Sequence, residues 1–301
     1  MNTSSKRWAS VLGSVVLFST LFAVSTLARD IGVDVSHFQG ETGMPQANWN
    51  QLAAEGRTFA YIKSTEGLNP PGNIDAAWPV NVARASNVGI LNGVYHFARP
   101  DNRPTTTGAI QEADFFVATA GRAMTAGHLR PVIDLERGNT LTTSDLTDWV
   151  LAFVNEVVAL KGSSAEPIVY TTSSFAVGEL DSRVANLDLW IRANFGDPQT
   201  GQPTTTGVFN DWAFWQYNVG PAGGIGSIDQ DVVHTESAPL SSFVIVPEPG
   251  SLTLFFPALA LACAGRRRRS RRLETPQKST LFQTRKSRYP FSLNSASRNS
   301  S

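Results

Sequence analysis

Cysteine is almost absent from this chain. The single thiol, Cys263, has no second one to pair with, so no intrachain disulfide can support the fold. Histidine is scarce too: His37, His96, His128 and His234 stand singly, without H-x-H or H-x-x-x-H spacing. That pattern argues against a metal hydrolase, and neither a metal nor a cofactor is expected. His37 and His96 are instead expected to hydrogen-bond near the floor of a cleft. Net charge is also missing, with a formal value of +0, but the balance hides a split. Residues 266–301 hold eleven Lys and Arg against one acid, whereas 30–243 hold eleven against twenty-three. An acidic domain with a basic tail argues against nucleic acid as a partner of the domain. No repeat and no Pro/Ser-rich linker interrupts 30–243, so one domain is expected there, large enough to stand on core burial alone.

Both ends read as addresses. Lys6 and Arg7 precede "VLGSVVLFSTLFAV" (11–24), an apolar stretch short for a membrane span, and Thr26 and Ala28 are small residues before a cut. This is the layout of a signal peptide over 1–28, followed by a domain over 29–243, with a retained anchor helix as the alternative. At the other end, "VPEPGSLTLFFPALALACAGRRRRSRR" (246–272) runs from Pro247-Glu248-Pro249 through an apolar segment into six arginines within seven residues. These residues resemble the PEP-CTERM sorting tail of exported bacterial proteins. The resemblance implies a sorting or anchor segment over 244–272, export machinery and a sorting peptidase as partners, and transient retention at the inner membrane. A permanent C-terminal anchor is the alternative. Residues 273–301, rich in Ser, Arg, Lys and Asn, read as a disordered basic tail. The location expected is the cell envelope or surface.

Within the domain, apolar runs of strand length recur at 30–36, 58–64, 91–97, 130–136, 167–172, 187–193 and 211–217. Helix-like stretches at 48–56, 74–89, 108–121 and 142–162 lie between several of them, the last with a Ser/Thr/Asp start and a Gly162 stop. Strands alternating with helices argue for a parallel sheet, and the number of units favours an α/β barrel of the (β/α) type. Helices thin out in the second half, so the barrel is expected to be irregular there. Polar residues collect at the C-terminal strand ends, among them Asp34, Lys63, His96, Arg192 and Gln216, the face on which such barrels carry their sites.

The run "RPVIDLERG" (130–138) ends with two acids two positions apart. On a strand, Asp134 and Glu136 share a face, about 6.5–7 Å apart at the backbone, with Leu135 on the other side. One acid beside another favours a protonated donor next to an anion, which cleavage of a glycosidic bond requires. Aromatics at the same strand ends, including Phe38, Tyr61, Tyr95, Tyr170, Trp190 and Tyr217, suit a sugar-binding groove as well as a core.

"DIGVDVSHFQG" (30–40), "FAYIKSTEG" (59–67), "GVYHFARP" (93–100), "PVIDLE" (131–136), "PIVYT" (167–171), "LWIRANF" (189–195) and "WAFWQYNVGPAGGIGSIDQD" (212–231) follow one another in an order that resembles the glycoside hydrolase family 25 lysozymes. The resemblance spans the domain. It implies a modified barrel of eight strands with fewer than eight helices, and hydrolysis of the β-1,4 bond between N-acetylmuramic acid and N-acetylglucosamine in peptidoglycan glycan strands. It also implies that Glu136 is the general acid and Asp134 the neighbouring carboxylate, which stabilises the sugar cation, orients the 2-acetamido group or attacks directly. Asp34 and Asp229 would be a third and a fourth acid at the cleft. Tyr170 and Trp190 would contact sugar, Gln216 and Tyr217 would form the cleft wall, and Tyr95 and His96 complete the expected substrate-binding set. Two departures stand out. Asp231 occupies a position where the family usually has Asn, which adds an acid near the site, and "LNPPGNIDAAW" (68–78) lacks the usual aromatic. The competing readings are a chitinase-like β-1,4-N-acetylhexosaminidase, weakened by the missing acidic run before Asp134, and a non-catalytic wall-binding module. A monomer is expected.

Overall fold

The computed structural model describes residues 28–68, 73–138 and 140–247. The signal-peptide and disordered-tail readings, and all of the sorting segment beyond residue 247, lie outside these described residues.

The chain forms β1 (Ile31–Val35), α1 (Gln46–Ala54), β2 (Arg57–Glu66), β3 (Asn73–Ile74), α2 (Trp78–Asn87), β4 (Leu91–Phe97) and α3 (Thr106–Ala120). There follow β5 (Val132–Leu135), α4 (Thr143–Lys161), β6 (Ile168–Thr172), α5 (Ser173–Gly178), β7 (Leu189–Arg192), β8 (Phe214–Ala222) and β9 (Ile225–Val233). Neighbouring strands run β1-β9-β8-β7-β6-β5-β4-β2, and β1 pairs with β2 to close the ring. The two-residue β3 lies outside it, antiparallel to the end of β2. The expected irregular α/β barrel of eight strands with fewer than eight helices is what forms.

Local sequence explains the helices. Thr105 Oγ1 accepts from the Gly108 N–H and Thr142 Oγ1 from the Asp145 N–H, so α3 and α4 each start on a side-chain cap. Gly162, at φ +89°, ends α4 in a backbone conformation that side chains disfavour. Both helices bury one face, including Ala113 and Phe116 of α3 and Phe153 and Val157 of α4, against the outside of the sheet.

One strand departs from the parallel pattern. β9 runs antiparallel to both β1 and β8. Ala222 pairs with Ile225, leaving Gly223 and Gly224 as a two-residue loop at φ +59° and +76°, the positive-φ geometry of a tight hairpin. A hairpin replaces the last crossover, so the second half needs fewer helices.

Two cores result. The larger lies between sheet and helices, and the smaller fills the barrel with aromatic rings. Inside the barrel, Tyr61 lies 4.9 Å from Trp190 and 5.5 Å from Phe214, centroid to centroid. These rings fit because the wall beside them has no side chain in places. A Cβ on Gly93 would stand 2.7 Å from Tyr61 Cε1. Below the plug, the packed chain continues past residue 243, with Val244 bridging Leu129 and Ile245 buried.

Gly93→Ala is therefore expected to cost about 1–3 kcal/mol through overpacking. Urea unfolding measures it, and an unchanged midpoint would mean that the Tyr61 ring is free to yield.

Candidate active site

Strand alternation decides which side chains reach the open, C-terminal end of the barrel. Asp134 on β5 is in register with Tyr170 on β6, Tyr170 with Trp190 on β7, and Asp34 on β1 with Asp229 on β9. These side chains, with Tyr95, Gln216 and Glu136, line one cleft of about 400 Å³. Glu136 follows the end of β5 directly and is half-buried, whereas Asp34 and Asp134 are each only 8% exposed.

The same alternation removes two expected residues from the cleft. His96 lies between Tyr95 and Phe97 and points outward, fully buried between β4 and the helices. Its ring stacks 5.3 Å from Phe153, Nδ1 meets Thr65 Oγ1 at 2.8 Å, and Nε2 meets Glu112 Oε2 at 2.9 Å. Tyr217, next to the inward Gln216, also points outward. Arg57 donates to its hydroxyl at 3.0 Å, and the hydroxyl donates to Gln230 Oε1 at 3.1 Å. His37 sits at the rim rather than the floor, with Nδ1 2.9 Å from Asp75 Oδ2 and its ring 4.2 Å from that of Phe38. Phe38 is 81% exposed at the cleft edge, a flat apolar surface of the kind that sugar rings stack on.

Sequence reasoning gave no role to Lys63 and Arg192 beyond their strand-end positions. Both line the cleft, Lys63 with Nζ 2.7 Å from Glu66 Oε2, and Arg192 on the side of Asp229. They are basic side chains at the ends of β2 and β7, so position was the available signal.

The electrostatics follow from geometry. Burial pushes the Asp134 carboxyl well above the usual carboxylate range, and Glu136 and Asp34 push it further. Burial does the same to Asp34, with Asp229 and Glu136 adding to the effect and the Gln216 hydrogen bond opposing it. Asp229 is raised by burial, against the pull of Arg192. Asp231, which the sequence placed near the site as an added negative charge, is fully buried and held well above the usual range by burial, then by Asp34 and Asp229. Among the described residues, none donates a hydrogen bond to the Asp134 carboxyl, and its Oδ1 is enclosed without a partner. A carboxyl so placed is uncommitted within the protein and available to a bound molecule.

The chain was compared with known proteins. The family model described as Glycosyl hydrolases family 25 matches residues 33–224. Lysozyme M1 of Streptomyces globisporus is 32% identical over 221 residues, 69% of this chain and 69% of that protein. The N,O-diacetylmuramidase of Chalaropsis sp is 30% identical over 151 residues, 48% of this chain and 66% of that protein. Among solved structures, the bacterial lysozyme from Streptomyces coelicolor superposes with a TM-score of 0.59 at 29% identity, covering 72% of this chain and 98% of its own.

The raised carboxyls have a consequence for stability. Asp134 keeps its proton in the fold at pH values where the unfolded chain, with an ordinary pKa near 3.9, has released it. The unfolded state then binds fewer protons, so stability falls as pH rises above about 4. Asp134→Asn removes this titration. Its Tm relative to the unmutated protein is expected to improve steadily from pH 3 to pH 7, by about 2 °C or more across that span. A difference independent of pH would contradict the burial of an ionisable group there.

Proposed function

This chain belongs to the family 25 glycosyl hydrolases, and from that premise we propose how its cleft carries out the hydrolysis of peptidoglycan. It is a glycoside hydrolase of the lysozyme kind. The bond we assign to it is the β-1,4 link from N-acetylmuramic acid to N-acetylglucosamine, with Glu136 as general acid and base. The observation that carries this assignment is the joint placement of Glu136 and Asp134 at the end of β5, in a cleft whose aromatic lining includes Tyr95, Tyr170 and Trp190.

In this reading a muramic acid residue lies over the floor with its glycosidic oxygen against Glu136. Glu136 gives its proton to that oxygen, and the C1–O bond breaks as an oxocarbenium-like centre develops. The carbonyl oxygen of the 2-acetamido group attacks C1 and closes an oxazolinium ring. Asp134 accepts from the acetamido N–H, and the positive charge on that ring compensates a carboxylate that burial would otherwise disfavour. Water then attacks C1, Glu136 takes the water's proton, and the ring opens with retained configuration. Asp34 and Asp229 shape the anionic floor, with Gln216 Nε2 donating to Asp34 Oδ2 at 3.0 Å. Trapping a covalent glycosyl adduct on Asp134 with a fluorinated substrate would overturn the acetamido route.

The substrate lies outside the cytoplasm, so we infer export. The apolar stretch 11–24 and the Pro247-Glu248-Pro249 segment with its arginines are assigned as the signal and the sorting or anchor element, acting on a monomeric barrel.

Digestion of purified peptidoglycan tests the bond assignment. N-acetylmuramic acid is expected at the new reducing ends, whereas N-acetylglucosamine there would make the enzyme a glucosaminidase, and no product would favour binding alone. Glu136→Gln is expected to lower the release of reducing sugar at least about 10³-fold while Tm stays within a few degrees. Activity like that of the unmutated protein would remove Glu136 from its role. Asp34→Asn is expected to be nearly as damaging.

A further inference from the structure

Asp231 has no exposed surface, so no sugar touches it, yet it lies directly beneath the acids of the cleft. The Trp190 indole N–H donates to its Oδ1 at 3.0 Å. Its Oδ2 is enclosed and receives no N–H from any described residue. Asp34 on the adjacent strand β1, where it pairs with Asp229, is its diagonal inward neighbour and acts on it electrostatically. Asp34 Oδ2 is held from its other side by Gln216 Nε2, and Gln216 Oε1 accepts from the Tyr170 hydroxyl at 3.2 Å. The Tyr170 and Trp190 rings meet edge to face at 4.7 Å. With the Asp231 and Asp34 carboxyls set side by side on paired strands, a circuit runs Trp190, Asp231, Asp34, Gln216, Tyr170 and back to Trp190.

The contact between Asp231 and Asp34 constrains the charge of this circuit. Two ionised carboxylates present only lone pairs to each other, and a buried contact of that kind without a proton is repulsive. One proton between them turns the contact into a charge-assisted hydrogen bond, shorter and stronger than a neutral one. Asp231 is the member that holds the proton most readily. Each carboxyl receives one N–H, Asp231 from Trp190 and Asp34 from Gln216, so the deeper enclosure of Asp231 decides.

We propose that Asp231 is a positioning residue for the hydrolysis, a carboxylic acid locked by Trp190 that donates to Asp34 and aims this carboxylate into the cleft, and that loss of the shared proton sets an alkaline limit on turnover. The catalytic half of this rests on the function proposed above, and the shared proton does not. The groups facing the pair agree with it. They are Asp229 from β9 itself, Tyr61 from β2, Tyr95 from β4, Asp134 from β5, Tyr170 from β6 and Trp190 from β7, with Glu136 acting on Asp34 from the end of β5. Arg192 acts on Asp229. Above the pH at which the shared proton leaves, two anions stand in contact, and the Asp34 side chain must swing away from the position that the circuit gives it.

An Asn at 231 offers an N–H to Asp34 and a carbonyl to Trp190 in the same places, without a proton to lose. A Leu offers neither. With purified peptidoglycan as substrate, Asp231→Asn is expected to keep kcat within about threefold on the acidic side of the optimum and to move the alkaline limb of the pH profile up by about one unit or more. Asp231→Leu is expected to lower kcat about tenfold or more across the profile, with KM changed far less. Carbon-13 NMR of side-chain-labelled aspartates reads the proton itself and needs no turnover. One protonated aspartate signal at neutral pH is expected to vanish in Asp231→Asn. Superimposable alkaline limbs for the unmutated protein and Asp231→Asn, or an Asp231→Leu variant of unchanged kcat, would overturn the positioning role. An aspartate spectrum at neutral pH that is unaltered by Asp231→Asn, apart from an ionised signal lost, would overturn the shared proton. That last result stands whether or not Glu136 proves to be the acid.

Discussion

Carboxyl groups set on top of an aromatic plug are the constraint on which the rest of this structure depends. Tyr61, Trp190 and Phe214 fill the barrel below, so water reaches Asp34, Asp134, Asp229 and Glu136 only from the cleft side. Lys63 and Arg192 are the basic side chains of the cleft lining; Lys63 is held by Glu66 and Arg192 acts on Asp229. Desolvation and mutual repulsion then act together on Asp34 and Asp134, raising both carboxyls well above the usual carboxylate range.

The barrel delivers the acids through strand register. β1 and β5 each bring their acids to the open end by running parallel, whereas Asp229 and Asp231 arrive on an antiparallel strand. The Gly223-Gly224 hairpin makes this possible, because a descending β9 lays successive inward residues at different depths. Asp229 faces the cleft from the upper level beside Asp34, and Asp231 lies one inward step deeper beside the Trp190 indole. One strand therefore supplies both an acid that solvent reaches and an acid that it does not.

Much of this was legible in the sequence, for identifiable reasons. Strands with apolar alternation and a polar end, such as "DIGVDVS" and "RPVIDLE", stood out because each must be apolar on the helix side and chemical at the rim. β9 did not stand out. "IGSIDQDVV" carries two acids and a glutamine because its inward face meets the cleft floor and its outward Gln230 is satisfied by Arg57 and Tyr217. The six-residue α5 was too short to show helical periodicity. At the site, the sequence singled out Asp34, Asp134, Glu136 and Asp229 as candidates, and one cleft brings the four together. His96 and Tyr217 were placed one residue out of phase: each neighbours an inward residue, and a period of two sends it to the other face. The depth of Asp231 was invisible, because burial on β9 is set by a hairpin and an indole far away in the chain.

The central claim is that these acids surround a single sugar linkage, with Glu136 at the departing oxygen and Asp134 at the acetamido group. A crystal structure of the Glu136→Gln protein with a peptidoglycan tetrasaccharide tests it most directly. The account requires the glycosidic oxygen within hydrogen-bonding distance of the residue 136 amide and the acetamido N–H on Asp134, above a floor formed by Asp34 and Asp229. A glycan bound on another face, or one in the cleft whose linkage lies out of reach of residue 136, would contradict it.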